Sequence, residues 1–134
     1  MHGIRRFSLA TTLFALLGTL WHPVCLAADE AIVARIEAME AGFPVQVLGS
    51  RLMAHQARSA FYGANGYQPA WKSAELRRQL IDSVEQASHD GLNPADYHAD
   101  ILSGLALRPM SDFSEDLRAD LDLLFSDAFL MLSS

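Results

Sequence analysis

The chain has 134 residues, of which 51% are hydrophobic and 19% charged, with a formal net charge of −6. That balance belongs to a foldable sequence with one core and excludes a disordered chain. The acidic excess excludes a basic phosphate-binding face, so no nucleic-acid partner is expected.

The chain opens with the three regions of a secretory signal peptide. Arg5 and Arg6 supply the basic start, Phe7 to Trp21 an uncharged apolar run, and the tail ends in small residues at Ala27. Cleavage after Ala27 sets Cys25 and Ala27 at positions minus three and minus one, a better fit to the small-residue rule than cleavage after Ala28. The apolar run of 15 residues is short of the roughly 20 a membrane span needs. His22-Pro23-Val24 before Cys25 is not a lipobox. The expected domains are therefore a signal peptide, 1–27, and an exported domain, 28–134, which meets the membrane only through its signal before cleavage.

Cleavage removes Arg5 and Arg6 from the ten basic residues and leaves 8 against 16 acidic ones, a net charge of −8. It also removes the only cysteine, Cys25. The exported domain then has no disulfide, no thiolate nucleophile and no cysteine metal site. About 107 residues can still bury roughly two thirds of their unfolded surface.

The remaining elements read as mostly α, a small irregular domain of about five helices. Asp29 is placed to cap a first helix whose stripe is Ile32, Ile36, Met39 and Phe43, ending near Gly42-Phe43-Pro44. Val45 and Val47 alternate with Gln46 and predict a short extended segment before Gly49. A second helix is expected over about 51–64, broken by Gly63 and Asn65-Gly66. The clearest helix runs from Ser73 to His89, with Leu76, Leu80, Val84 and Ala87 on one stripe and Glu75 at its positive end. Asn93-Pro94 predicts the start of another, running to about Ala106. A last helix from Ser114 carries Leu117, Leu121, Leu124 and Ala128. Its end, FLMLSS, has no stop signal and crowds apolar residues on more than one face, so an uncovered face near Phe129 and Met131 and a C-terminal truncation are expected.

Two stretches invite a functional reading. In 88-SHDGLNPADYHAD-100 a metal-dependent hydrolase would need His89, Asp96 and His98 to converge on one ion. Residues 96 and 100 share a helical face and 98 does not, so the stretch reads better as a corner: His89 at a negative helix end, a turn at Gly91-Leu92, and Asp96 reaching back to the Asn93 N–H. In 61-FYGANGYQPAW-71, Phe61, Tyr62, Tyr67, Pro69 and Trp71 read either as rings laid over a helical core or as a sugar- or peptide-binding platform; the core reading is favoured. The carboxylate pairs Glu115-Asp116 and Asp120-Asp122 read as solvated helix faces. No Gly-x-Ser-x-Gly elbow, His-Glu-x-x-His or phosphate loop occurs, and no catalytic residue, metal ligand or cofactor is expected.

The combination FYGANGYQPAW, a helix, SHDGLNPADYH and LDLLFSDAFLMLSS resembles the N-terminal scaffold region of the large exported L,D-transpeptidases of Gram-negative bacteria, the YcbB-like group, from about residue 50 onward. The residues carrying the resemblance, expected to be structural, are Phe61, Tyr62, Gly66, Tyr67, Pro69, Trp71, Gly91, Leu92, Pro94, Tyr97, His98 and Asp127. The resemblance implies a periplasmic protein involved in peptidoglycan cross-linking. In the parent enzymes a cysteine in a Ser-His-Gly-Cys-like motif joins two meso-diaminopimelate residues into a 3-3 link. That motif belongs to a catalytic domain that follows the scaffold, and none occurs here, so no catalytic role transfers to any position. The implied partners are the catalytic domain of the parent enzyme and peptidoglycan. The alternative is a free-standing periplasmic module that binds peptidoglycan or a cell-wall protein through Tyr67 and Trp71.

Overall fold

A computed structural model describes residues 27–134; the signal segment expected over 1–27 lies, but for Ala27, outside the described residues. The fold is mostly α. The helices are α1 (Glu30–Glu40), α2 (His55–Ala64), α3 (Ala74–Ala87), α4 (Ala99–Leu105) and α5 (Glu115–Leu132), with short 3-10 turns between α3 and α4 and between α4 and α5. A two-residue hairpin, β1 (Gln46–Val47) with β2 (Ser50–Arg51), follows α1.

Three starts follow from local chemistry. Asp29, Ser73 and Ser114 each accept a bond from the backbone N–H three residues on, at Ile32, Leu76 and Leu117, satisfying one of the amides a helix start leaves unpaired. Each is followed by a carboxylate in the first turn, Glu30, Glu75 or Glu115, where the helix dipole favours negative charge.

The second helix starts later than expected, at His55, because Met53 and Ala54 turn their amides to Asp127. The expected helix over 93–106 is two pieces. Pro94–Tyr97 is a 3-10 turn and α4 starts only at Ala99, because His98 adopts φ 60° and interrupts the ladder. Asn93 accepts from the Ala95 N–H, and Asp96 meets the Asn93 side-chain amide at 3.5 Å in place of its backbone N–H. Gly91, at φ 87°, lets the Leu92 N–H reach back to the Ala87 carbonyl and close α3. Phe43 and Leu76, expected on buried stripes, are 67% and 48% exposed. Phe43 falls past the end of α1, where the chain leaves the helical face.

Helix α5 is the centre of the domain. Residues 121 to 128 are all buried, because α1, α2, α3, α4 and β1 pack around it. Burying Leu121, Leu124 and Phe125 stabilises the fold by about 1.5–3 kcal/mol each. The second apolar face expected to lie bare is therefore covered up to Ala128, and exposure begins at Phe129, at 40%.

Candidate functional site: two polar locks on the central helix

Three polar residues lie within the buried stretch of α5: Asp122, Ser126 and Asp127 are 2%, 0% and 0% exposed. Asp122 was expected to be a solvated carboxylate, and burial corrects that reading; Glu115 and Asp116 are exposed as expected, and Asp120 binds Arg35 at 2.5 Å. A polar group in a core costs stability unless it is bonded, so each of the three needs partners.

Asp122 and Ser126 face the aromatic stretch. Asp122 accepts from the backbone N–H groups of Ala70 and Trp71 at 3.1 and 2.9 Å, and from the Tyr62 hydroxyl at 2.5 Å. The Trp71 indole N–H donates to Ser126 Oγ at 2.9 Å, and Ser126 Oγ lies 2.8 Å from the Tyr62 hydroxyl. Since Tyr62 gives its one hydrogen to Asp122, Ser126 donates to Tyr62. The bonds then run in one sense, from indole to serine to tyrosine to carboxylate. Burial pushes the Asp122 carboxyl above the usual carboxylate range, against the pull of Tyr62 and the two amides. Burial, with the Asp122 charge beside it, raises the Tyr62 phenol far above its ordinary value, so it stays a neutral donor.

Asp127 faces the other way and closes a second lock. Its carboxylate accepts from the N–H groups of Met53 and Ala54 at 3.0 and 2.8 Å, from Arg58 Nη1 at 2.8 Å and from His98 Nε2 at 2.9 Å. Ala54 has no side chain able to cap α2, and Asp127 supplies the acceptor from a helix 73 residues away. Burial alone would raise this carboxyl; the bonds from His98, Met53 and Ala54 and the Arg58 charge hold it below the usual range. Arg58 is itself lowered by burial, which outweighs the attraction of Asp127.

The rings of the aromatic stretch point inward. Trp71 is 8% exposed, stacked on Phe125 at 5.7 Å and edge-on to Phe129 at 5.8 Å. Phe61 meets Tyr62 at 5.2 Å and Phe129 at 6.4 Å. Gly66 and Tyr67 sit at φ 63° and 56°, turning the chain so that the Tyr67 N–H closes on the Tyr62 carbonyl at 2.8 Å. Tyr67 and Tyr97 pack partly buried against the core, and Leu92 is 44% exposed. Pro69 and Trp71 border a cavity of about 690 Å³ between the starts of α1 and α5. Its lining sets Asp29, Glu30, Glu115 and Asp122 against Lys72 and Arg118, an acidic excess.

Chemically the two locks tie α5 to the loops and helices around it. His98 pairs with Asp127, while the Ser126 hydroxyl is bonded to Trp71 and Tyr62 in the other lock. His89 and Asp96 are exposed while His98 is turned inward, and among the described residues no group of three acidic, histidine or cysteine side chains is placed for a metal.

Reading the sequence alone missed Asp122 as a buried group, and it missed Arg58 and Arg77. Arg77, 1% exposed, donates to the carbonyls of Trp71, Lys72, Ala106 and Arg108 at 2.7 to 3.0 Å and ties the 71–72 loop to the end of α4. The available signal was the run LDLLFSDAFLML: polar residues set in a helix apolar on all sides have no solvated face to occupy.

A family model described as Scaffold domain matches residues 56–134, more than half of the chain, and holds both locks except for the Met53 and Ala54 amides. No characterised protein and no solved structure matches the chain.

Proposed function

The chain belongs to the Scaffold domain family, consistent with the scaffold region of L,D-transpeptidase-like proteins, and from that premise we propose that it supports a catalytic domain without doing chemistry itself. In this reading it is exported to the periplasm and serves an L,D-transpeptidase that cross-links peptidoglycan. The observation that carries the proposal is the pairing of His98 with Asp127. The two most reactive-looking residues of the signature stretches are buried and spent on each other, on Arg58 and on the cap of α2. A thioester enzyme needs a thiolate, and residues 28–134 contain no cysteine.

The test has two arms. Exposed to a carbapenem, the purified chain should gain no covalent mass, and a stable adduct would refute the non-catalytic reading. Mixed with an L,D-transpeptidase catalytic domain stripped of its own scaffold, the chain should form a complex and raise the yield of 3-3 cross-links. No complex at 100 micromolar, an order-of-magnitude ceiling for domains meant to pack together, would overturn the supporting role. The free-standing module that would grip peptidoglycan through Tyr67 and Trp71 keeps Tyr67 as a partly exposed ring, whereas Trp71 is covered by Phe125 and Phe129.

A further inference from the structure

A second cavity, of about 480 Å³, lies between the end of α1, the β1–β2 hairpin and the start of α2. Met39, Phe43, Val45 and Leu52 form its apolar wall, and Arg51 and His55 bring the cationic and N–H groups. No aspartate or glutamate lines it, although the chain has 16 acidic residues against 10 basic ones. Phe43, which forms part of this wall, is 67% exposed.

The polar side of this cavity is built to donate. Arg58 Nη2 lies 3.2 Å from His55 Nδ1. A guanidinium only donates, so His55 Nδ1 accepts and its ring proton resides on Nε2, which is left as a donor. Arg51 is exposed and enters no ion pair among the described residues. Arg58, which holds His55 in that tautomer, is 1% exposed and does not itself line the cavity. Donors without acceptors beside an uncovered aromatic ring call for a ligand that is anionic at one end and apolar at the other.

We propose that this cavity binds the terminal carboxylate of a peptide whose last residue is apolar. Arg51 pairs with the carboxylate through its planar fork, the His55 Nε2–H donates to it, and the last side chain lies against Phe43, Met39 and Val45. The acid-free lining selects for the charge, and the exposed ring selects for the side chain.

Calorimetric titration of the purified chain with acetyl-Ala-Ala-Phe tests this, with its C-terminal amide and inorganic phosphate as comparison probes. The free acid should bind roughly ten times more tightly than the amide, the scale of a charge-assisted bond. Arg51→Gln, a surface change that leaves the core untouched, should remove that preference, and Phe43→Ser should weaken both peptides. Equal affinity for acid and amide would overturn the carboxylate assignment. Phosphate binding as tightly as the peptide would reduce the cavity to a general anion site and overturn the peptide assignment. No heat with either peptide at millimolar concentration would overturn both.

Discussion

His98 Nε2 lies 2.9 Å from Asp127 Oδ2 and joins two sequence stretches 29 residues apart, with both side chains buried. The bond accounts for a backbone irregularity as well, because His98 holds φ 60° between a 3-10 turn and α4. A left-handed histidine costs about 1–2 kcal/mol, and the cost is offset where the ring completes the shell of a buried carboxylate.

Asp127→Asn should therefore be among the most damaging single changes in the domain. It leaves the Arg58 guanidinium buried without its counter-charge, and the Asn side chain brings donors where four donors already converge. Breaking a buried pair from one side costs about 3–5 kcal/mol. Urea denaturation should show a loss of that order. A loss under 1 kcal/mol, the scale of an exposed pair, would mean that the lock contributes little.

The two buried carboxylates should give opposite pH profiles. Asp127 is depressed, so its contribution is present above the unfolded carboxylate value, about 3.9, and is lost as pH falls through the lower folded value. Asp122 is raised, so its contribution is full below about 3.9 and is lost as pH rises through the folded value. Relative to wild type, the deficit of Asp127→Asn should shrink on acidification below about pH 4, and that of Asp122→Asn should shrink as pH rises above it. Deficits of the two variants, relative to wild type, that change in the same direction with pH would show that one assignment of sign is wrong.

Leu48 offers a gain. It sits at φ 50° beside Gly49 at φ 77°, the two left-handed positions of a tight hairpin turn where Asn-Gly is the preferred pair, and its side chain is 38% exposed. Leu48→Asn should raise stability by about 0.5–1 kcal/mol, since little apolar contact is lost and the backbone strain is relieved. An unchanged or lower melting temperature would show that the Leu48 side chain packs more than its exposure suggests.

What could be read in the sequence divides by distance along the chain. The Asp29 cap and the helix starts at Ser73 and Ser114 were legible because what sets them is local, with donor and acceptor three residues apart. So was the glycine turn at Gly91. Asp122 was misread because the amides and the hydroxyl that bind it lie 51 to 60 residues away, and nothing local separates a solvated aspartate from a bonded one. The break at His98 was hidden for the same reason. Asn93-Pro94 starts a helical turn on local grounds, whereas the ring that ends it answers to Asp127.

Arg77 makes the last prediction, because its role is fixed by geometry and has no carboxylate to share it. Its guanidinium is buried among four backbone carbonyls, from Trp71, Lys72, Ala106 and Arg108, and burial lowers its pKa with only the more distant Asp122 charge opposing. A lysine brings three donors on a single nitrogen and cannot span carbonyls that the Arg77 fork reaches from Nε, Nη1 and Nη2 at once. Arg77→Lys should cost about 1–3 kcal/mol for the acceptors left unpaired. Arg77→Met removes every donor and should cost more, although it keeps the apolar stem and removes a buried charge. If the fork is what matters, amide exchange should accelerate first where the 106–108 segment meets α3, ahead of any change at the His98–Asp127 lock. Arg77→Met as stable as wild type would mean that burying the charge costs as much as its four bonds return, and the loop attachment would then have to come from the packing of Ala106 and Phe113.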